Sequence, residues 1–179
     1  MNPLEKIAQT YPTIVEEMCS AAILAGIKIM DVYLNGDFNI KIKNDDSPIT
    51  LADRLSDTTI EKHLKLNFVD IPIISEESYC DLKSSKGYIF FLVDPLDGTK
   101  EFIKKTGEFT VNIAVILNEK AELGVVYVPV TGELYYRDLD GLSYLETDVK
   151  NSKVRGERNQ ISCRTADMDN LSVVRSVSH

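Results

Sequence analysis

Apolar and polar positions follow two different periods along this chain, and the change from one to the other divides it in two. From Pro12 to Leu34 the apolar residues Ile14, Met18, Ala21, Ala22, Ala25, Ile29 and Val32 recur at helical spacing. Pro12 suits a first helical turn, and Asn35-Gly36 supplies the stop. A second helix is predicted from Leu51 to about Leu66, with Leu55, Ile60 and Leu64 turned inward. Between the two, Phe38, Ile40 and Ile42 alternate with polar neighbours as a half-buried strand would, until Asn44-Asp45-Asp46-Ser47-Pro48 breaks the pattern.

After the second helix the period becomes that of strands. Ile71-Pro72-Ile73-Ile74 is a short one, and Tyr88 to Val93 is an almost unbroken apolar run. Phe109 to Leu117, Leu123 to Val128, Leu134 to Tyr136 and Leu142 to Leu145 follow, joined by short links rich in turn formers such as Asn118-Glu119-Lys120 and Asp138-Leu139-Asp140-Gly141. Links that short predict an antiparallel meander. The predicted fold class is therefore α+β, with two long helices covering one face of an antiparallel sheet. Phe102, Phe109, Tyr127, Tyr135 and Tyr136 read as packing, Thr147 to Asn159 as a polar surface connection, and Leu171 to Ser176 as the start of a further strand.

Composition narrows the class. Hydrophobic residues make up 44% and charged ones 27%, and no apolar run reaches about 18 residues, so the reading is globular with no transmembrane segment. The first residues, Met1-Asn2-Pro3-Leu4-Glu5-Lys6, lack the basic and apolar regions of a signal peptide, so the expected location is cytoplasmic. Cys19, Cys80 and Cys163 have no C-x-x-C spacing and fit reduced thiols, while His63 and His179 are too few to support a zinc site. A net charge of -8 argues against broad binding to nucleic acid. A small phosphorylated substrate stays compatible if cations gather on clustered carboxylates and invert the local field.

Carboxylates do cluster at strand ends. Ser75-Glu76-Glu77-Ser78 follows one strand, and Asp94-Pro95-Leu96-Asp97-Gly98-Thr99 follows the next, in a turn held by Pro95 and Gly98. The carboxylates of Glu76, Asp94 and Asp97 are expected to converge as hard oxygen ligands, with the amides around Gly98 and Thr99 facing an anion. On the residues alone, Asp94 and Asp97 serve equally as turn formers, Glu76 and Glu77 as a solvated pair, and Lys100 as a surface cation. Asp53 has the spacing of a capping box begun by Thr50.

The order Ser47-Pro48-Ile49-Thr50-Leu51-Ala52-Asp53, then Ser75-Glu76-Glu77, then Asp94-Pro95-Leu96-Asp97-Gly98-Thr99-Lys100-Glu101-Phe102 resembles the inositol monophosphatase superfamily of magnesium-dependent, lithium-inhibited phosphatases. Within it, Lys100-Glu101-Phe102 and Gly107-Glu108-Phe109-Thr110-Val111-Asn112-Ile113-Ala114 are most similar to the CysQ-type 3'(2'),5'-bisphosphate nucleotidases. The resemblance implies a phosphoric monoester hydrolase that uses Mg2+ to convert adenosine 3',5'-bisphosphate to AMP and phosphate. It implies that Glu76, Asp94 and the Leu96 carbonyl bind one magnesium, and that Asp94 and Asp97 share a second. Asp53, Glu76 and Thr99 are the implied catalytic residues, Asp53 holding the Thr99 hydroxyl that orients the attacking water. Asp97, Gly98, Thr99 and Lys100 are the implied substrate contacts. The alternatives are an inositol-phosphate or related sugar-phosphate phosphatase, or a non-catalytic remnant.

Members of that superfamily continue into a further α/β segment with a W-D-x-A-x-G motif whose aspartate binds metal, and this sequence has no tryptophan. The expectation is a phosphatase domain over residues 1–170, with 171–179 beginning a truncated second domain. Impaired activity is expected with it, and self-association or a complementing C-terminal chain as a partner.

Overall fold

The computed structural model describes residues 3–36, 38–43, 48–78, 89–151 and 155–165, so the expected strand at Leu171 to Ser176 lies outside the described residues. Helix α1 (Pro3–Thr10) precedes α2 (Ile14–Asn35), whose seven apolar positions named above are all buried. Gly36 ends α2 in the left-handed conformation, its N–H bonded to the Val32 carbonyl. Helix α3 (Leu51–Asn67) buries Ile60 and Leu64 as predicted, together with Asp53 and Ser56. Leu55, expected inside, is exposed, because the buried stripe of α3 runs through Ala52, Asp53, Ser56, Ile60 and Leu64. His63 Nε2 lies 2.7 Å from Glu17 Oε2 and ties the two helices at their surface.

The predicted strand over Phe38 to Ile42 is a different object. Only β1 (Lys41–Ile42) forms, pairing with β2 (Pro48–Ile49) in a two-stranded ribbon apart from the main sheet. Ile40 and Ile42 are exposed, since the ribbon has no layer beneath it, and Phe38 alone packs against the core.

The main sheet carries seven strands in sequence order: β3 (Ile73–Ser75), β4 (Phe90–Asp97), β5 (Thr110–Leu117), β6 (Lys120–Val128), β7 (Glu133–Arg137), β8 (Ser143–Glu146) and β9 (Arg158–Ile161). From β4 onward every pairing is antiparallel, as the short links require, while β3 runs parallel to β4 at the sheet's edge. The architecture is thus α+β with a mixed sheet. Strand β9 arises inside the stretch read as a polar connection. Its hold comes from charge rather than apolar burial: Arg155 donates two hydrogen bonds to buried Glu146, and Arg158 pairs with Asp138 at 2.6 Å while lying over the Tyr144 ring. Tyr136 donates to the same Glu146 at 2.7 Å, so its role is packing plus anchorage.

One face of the sheet meets the helices. Phe91 and Val93 of β4, Val111, Ile113 and Val115 of β5, and Leu123, Val125 and Tyr127 of β6 point inward and are buried. Helix α2 comes closest at Gly26, where an added Cβ would stand 2.4 Å from Tyr127 Cε1 and 3.2 Å from Pro129 Cγ. Phe102 and Phe109 close one end of the core against Tyr33 and Phe38. Among the described residues no helix is long and apolar enough to cross a membrane.

The close approach at Gly26 sets a test. Gly26→Val should force the Tyr127 ring from its slot and destabilise the fold by about 2 kcal/mol, the scale of overpacking a well-filled core. Gly124→Ala, where an added Cβ meets nothing within 4 Å, should be near neutral. Chemical denaturation of both variants measures the difference.

Candidate active site at the end of the sheet

Two residues three apart on a regular strand point to opposite faces, so Asp94 and Asp97 should diverge. They do not. Asp94 pairs with Asn112 and Asp97 with Thr110, which leaves β4 one residue longer than β5 over this stretch: a β-bulge. Pro95 and Leu96 are both buried within it, while Leu92, Asp94 and Asp97 all face away from the core. The bulge thus converts an odd spacing into a shared face.

The parallel edge adds the third carboxylate. Ser75 lies beside Val93, and Glu76 N donates to the Val93 carbonyl at 3.1 Å, which puts Glu76 next to Asp94 on the same outer face. Glu76 and Asp94 are thus neighbours across the β3–β4 pair, and the Glu76 charge acts on the Asp94 carboxyl. Burial, then the charges of Glu76 and Asp97, push the Asp94 carboxyl up to about 7, against a smaller opposing pull from the Leu96 N–H. Asp97 is more exposed and accepts from Asn112 Nδ2 at 3.2 Å. An open cavity of about 470 Å³ lies over this face, lined by Ile74, Glu76, Leu92, Asp94, Asn112 and Val126 among others.

Asp53 reaches the turn from the helix layer. Its Oδ2 accepts from Thr50 N at 2.7 Å and from Thr50 Oγ1 at 2.6 Å, completing the capping box of α3. Its Oδ1 accepts from Thr99 Oγ1 at 3.0 Å. The carboxylate therefore serves both bonds at once, and both roles considered for Asp53 have their contacts. Thr99 Oγ1 also lies 3.2 Å from the Leu96 carbonyl, but the charged acceptor is nearer and stronger. With its hydrogen directed at Asp53, the hydroxyl presents lone pairs outward.

Gly98 allows this arrangement twice over. Its φ of +91 is left-handed, and an added Cβ would stand 2.7 Å from the Glu108 carbonyl. Thr99 then opens the short helix α4 (Thr99–Ile103), on which Lys100 is exposed.

The sequence did not point to three further participants. Ser56, buried on α3, donates to the Pro95 carbonyl at 2.6 Å and so satisfies a backbone acceptor inside the bulge. Its i+3 spacing from Asp53 was the available signal. Asn112 braces Asp97, and only the strand register reveals it. Lys43 Nζ bridges Glu76 Oε1 at 3.0 Å and Glu77 Oε1 at 2.6 Å, which no spacing suggests across 33 residues. The solvated-pair reading of Glu76 and Glu77 is corrected by the same contacts, because the Glu77 side chain is only 7% exposed. Burial raises the Glu77 carboxyl more than Lys43 lowers it. Burial would lower Lys43, but its bonds to Glu77 and then Glu76 outweigh that and raise it. The disagreement means a bridge that favours the ammonium while leaving Glu77 incompletely compensated.

A metal fits the chemistry of these groups, though not as one three-acid cradle. Among the described residues no three His, Cys, Asp or Glu side chains stand together so as to hold a single ion. The expected convergence of all three on one ion is therefore not found: Glu76 reaches Asp94 from the β3 edge and Asp97 stands across the bulge in the same strand, and each presses its charge on Asp94. All donors are hard oxygens, and the like charges that press on Asp94 are what a dication would relieve. Cys19 takes no part in the site: burial pushes its thiol up to about 12, and it lies beside Arg155 rather than the bulge.

Asp94 ionises near 3.8 unfolded and near 7 folded, so the folded state keeps a proton that the unfolded chain has lost. Stability of the metal-free protein should fall as pH rises across that window, with the loss complete above it. Asp94→Asn should remove this fall. In chelator, its melting temperature relative to the parent should rise between pH 5 and pH 8 by roughly 4 °C, after discounting for the partial exposure of the group.

The fold has known counterparts. Residues 12–178 match the inositol monophosphatase family. The 3'(2'),5'-bisphosphate nucleotidase CysQ of Salmonella typhimurium (strain LT2) is 42% identical over 163 residues, 90% of this chain and 63% of that protein. The CysQ nucleotidase of Buchnera aphidicola is 36% identical over 178 residues, 98% of this chain and 64% of its own length. The chain therefore spans less than two thirds of the length of these curated relatives. The crystal structure of CysQ from Bacteroides thetaiotaomicron superimposes with a TM-score of 0.68 at 38% identity, covering 80% of this chain and 52% of that one. The suhB protein of Bartonella henselae gives the same TM-score at 27% identity over 74% of this chain. With the motifs, the sheet and the family match in agreement, the chain belongs to the inositol monophosphatase family.

Proposed function

We infer that this chain carries the metal-holding and water-positioning groups of a magnesium-dependent 3'(2'),5'-bisphosphate nucleotidase, which converts adenosine 3',5'-bisphosphate to AMP and phosphate. The observation that supports it is the shared outer face of Glu76, Asp94 and Asp97 beside a Thr99 hydroxyl tied to Asp53. The nucleotidase names printed for the relatives, at 36% and 42% identity, favour the bisphosphate substrate over a sugar phosphate. Its place of action is taken to be the cytoplasm, consistent with the free thiols of Cys19 and Cys163.

In this reading Glu76, Asp94 and the Leu96 carbonyl would hold one magnesium, and Asp94 with Asp97 a second. The chemistry supplied by bound magnesium is charge neutralisation on phosphate and acidification of water. The residues of the chain do the rest. Asp53 fixes the Thr99 hydroxyl as an acceptor, so that a water proton can be held against it and the oxygen turned toward phosphorus. Glu76 accepts the other water proton. Asn112 holds Asp97 on the substrate side, and the turn through Gly98, Thr99 and Lys100 offers amides and one cation to the phosphate.

Phosphate release from adenosine 3',5'-bisphosphate and from inositol monophosphate, each with magnesium and with chelator, tests this. The expected result is magnesium-dependent release that favours the nucleotide. Asp97→Ala should lower kcat/KM about a hundredfold with an unchanged circular dichroism spectrum, the scale of losing one electrostatic contributor to the transition state. Release undiminished by chelator, or a preference for inositol monophosphate, would contradict it.

A further inference from the structure

Lys43 stands where a cation is wanted. The β1–β2 ribbon delivers it from the end of β1 to the glutamates that follow β3, with Nζ 2.6 Å from Glu77 Oε1 and 3.0 Å from Glu76 Oε1. The two contacts differ in kind. Glu77 is 7% exposed and Glu76 is 53% exposed, so the shorter bond is anchored and the longer one is open to exchange. Glu76 follows Ser75, the strand partner of Val93, and so lies beside Asp94, which places this ammonium one carboxylate away from the acid at the centre of the site.

We propose that Lys43 is a built-in counter-ion of the metal-free site: its ammonium neutralises Glu76 and Glu77 until a divalent cation binds Glu76 and Asp94, then releases Glu76 and stays with Glu77. The inference rests on the metal reading above. An ammonium and a dication repel each other at one carboxylate, so metal binding must displace the lysine from Glu76 or be weakened by it. The flexible lysine stem permits that exchange without movement of the ribbon, since Nζ has only to swing toward the buried partner. The consequence is a site that keeps its strand end assembled without metal and gives up part of its magnesium affinity for doing so. A surface ion pair with no such role would leave metal affinity unchanged.

Calorimetric titration of magnesium into the whole chain and into Lys43→Met, without substrate, reads the exchange directly. The variant should bind roughly threefold to tenfold more tightly, the range expected when one partly exposed ion pair no longer competes. Equal or weaker binding by the variant would overturn the proposal and leave the metal reading intact. No magnesium binding by either protein would overturn both. A second readout needs no substitution: acylation of Lys43 by an amine reagent at fixed pH, followed by peptide mass spectrometry. Its rate should rise several-fold on addition of magnesium. An unchanged rate would count against displacement.

Discussion

A single hydrogen bond from Ser56 Oγ to the Pro95 carbonyl holds the place where β4 carries one residue more than β5. Were the same residues paired in regular register, without the bulge, Asp94 and Asp97 would face opposite sides of the sheet, one toward solvent and one into the core. Inside the bulge the carbonyl of Pro95 is out of the regular ladder and its bond from Ser56 is buried, where an unmet acceptor costs about 1–3 kcal/mol. Helix α3 meets that need, so its position against β4 and the direction of both aspartates are one constraint.

The same helix end fixes the Thr99 side of the site. Asp53 is buried, yet its carboxylate is fully engaged, by the Thr50 N–H and hydroxyl on one oxygen and by Thr99 on the other. A residue that caps a helix and aims a hydroxyl cannot change without disturbing both. On the opposite side, Ser75 donates to Asp57 at 2.5 Å, which ties the strand that precedes Glu76 to α3 as well. Each of the three site segments is therefore referred to one rigid helix, and the separations among carboxylates on different strands follow from it.

Much of this was legible in the sequence, for reasons that can be named. The buried stripe of α2 has strong helical period and a glycine stop, and the meander follows from links too short to cross over. Asp94, Asp97, Gly98 and Thr99 stood out through the order of motifs that resembles the phosphatase superfamily, since on spacing alone the two aspartates serve equally as turn formers. What escaped depends on tertiary context. The ribbon at β1 alternates like a half-buried strand yet leaves Ile40 and Ile42 exposed, β9 is held by Arg155 and Arg158 rather than by apolar side chains, and β3 pairs with β4 in parallel. Ser56, Asn112 and Lys43 look like ordinary surface residues until their partners, 39, 15 and 33 residues away, are brought beside them.

The central claim is that the bulge, held by Ser56, is what builds the proposed metal site. The affinity of Ser56→Ala for magnesium, by calorimetry without substrate, tests it most directly. The account predicts binding weakened by about tenfold or more, as when a group that orients metal ligands is removed, with the fold retained. Affinity equal to that of the parent in a folded variant would contradict it, because the carboxylates would then keep their shared face without the bond.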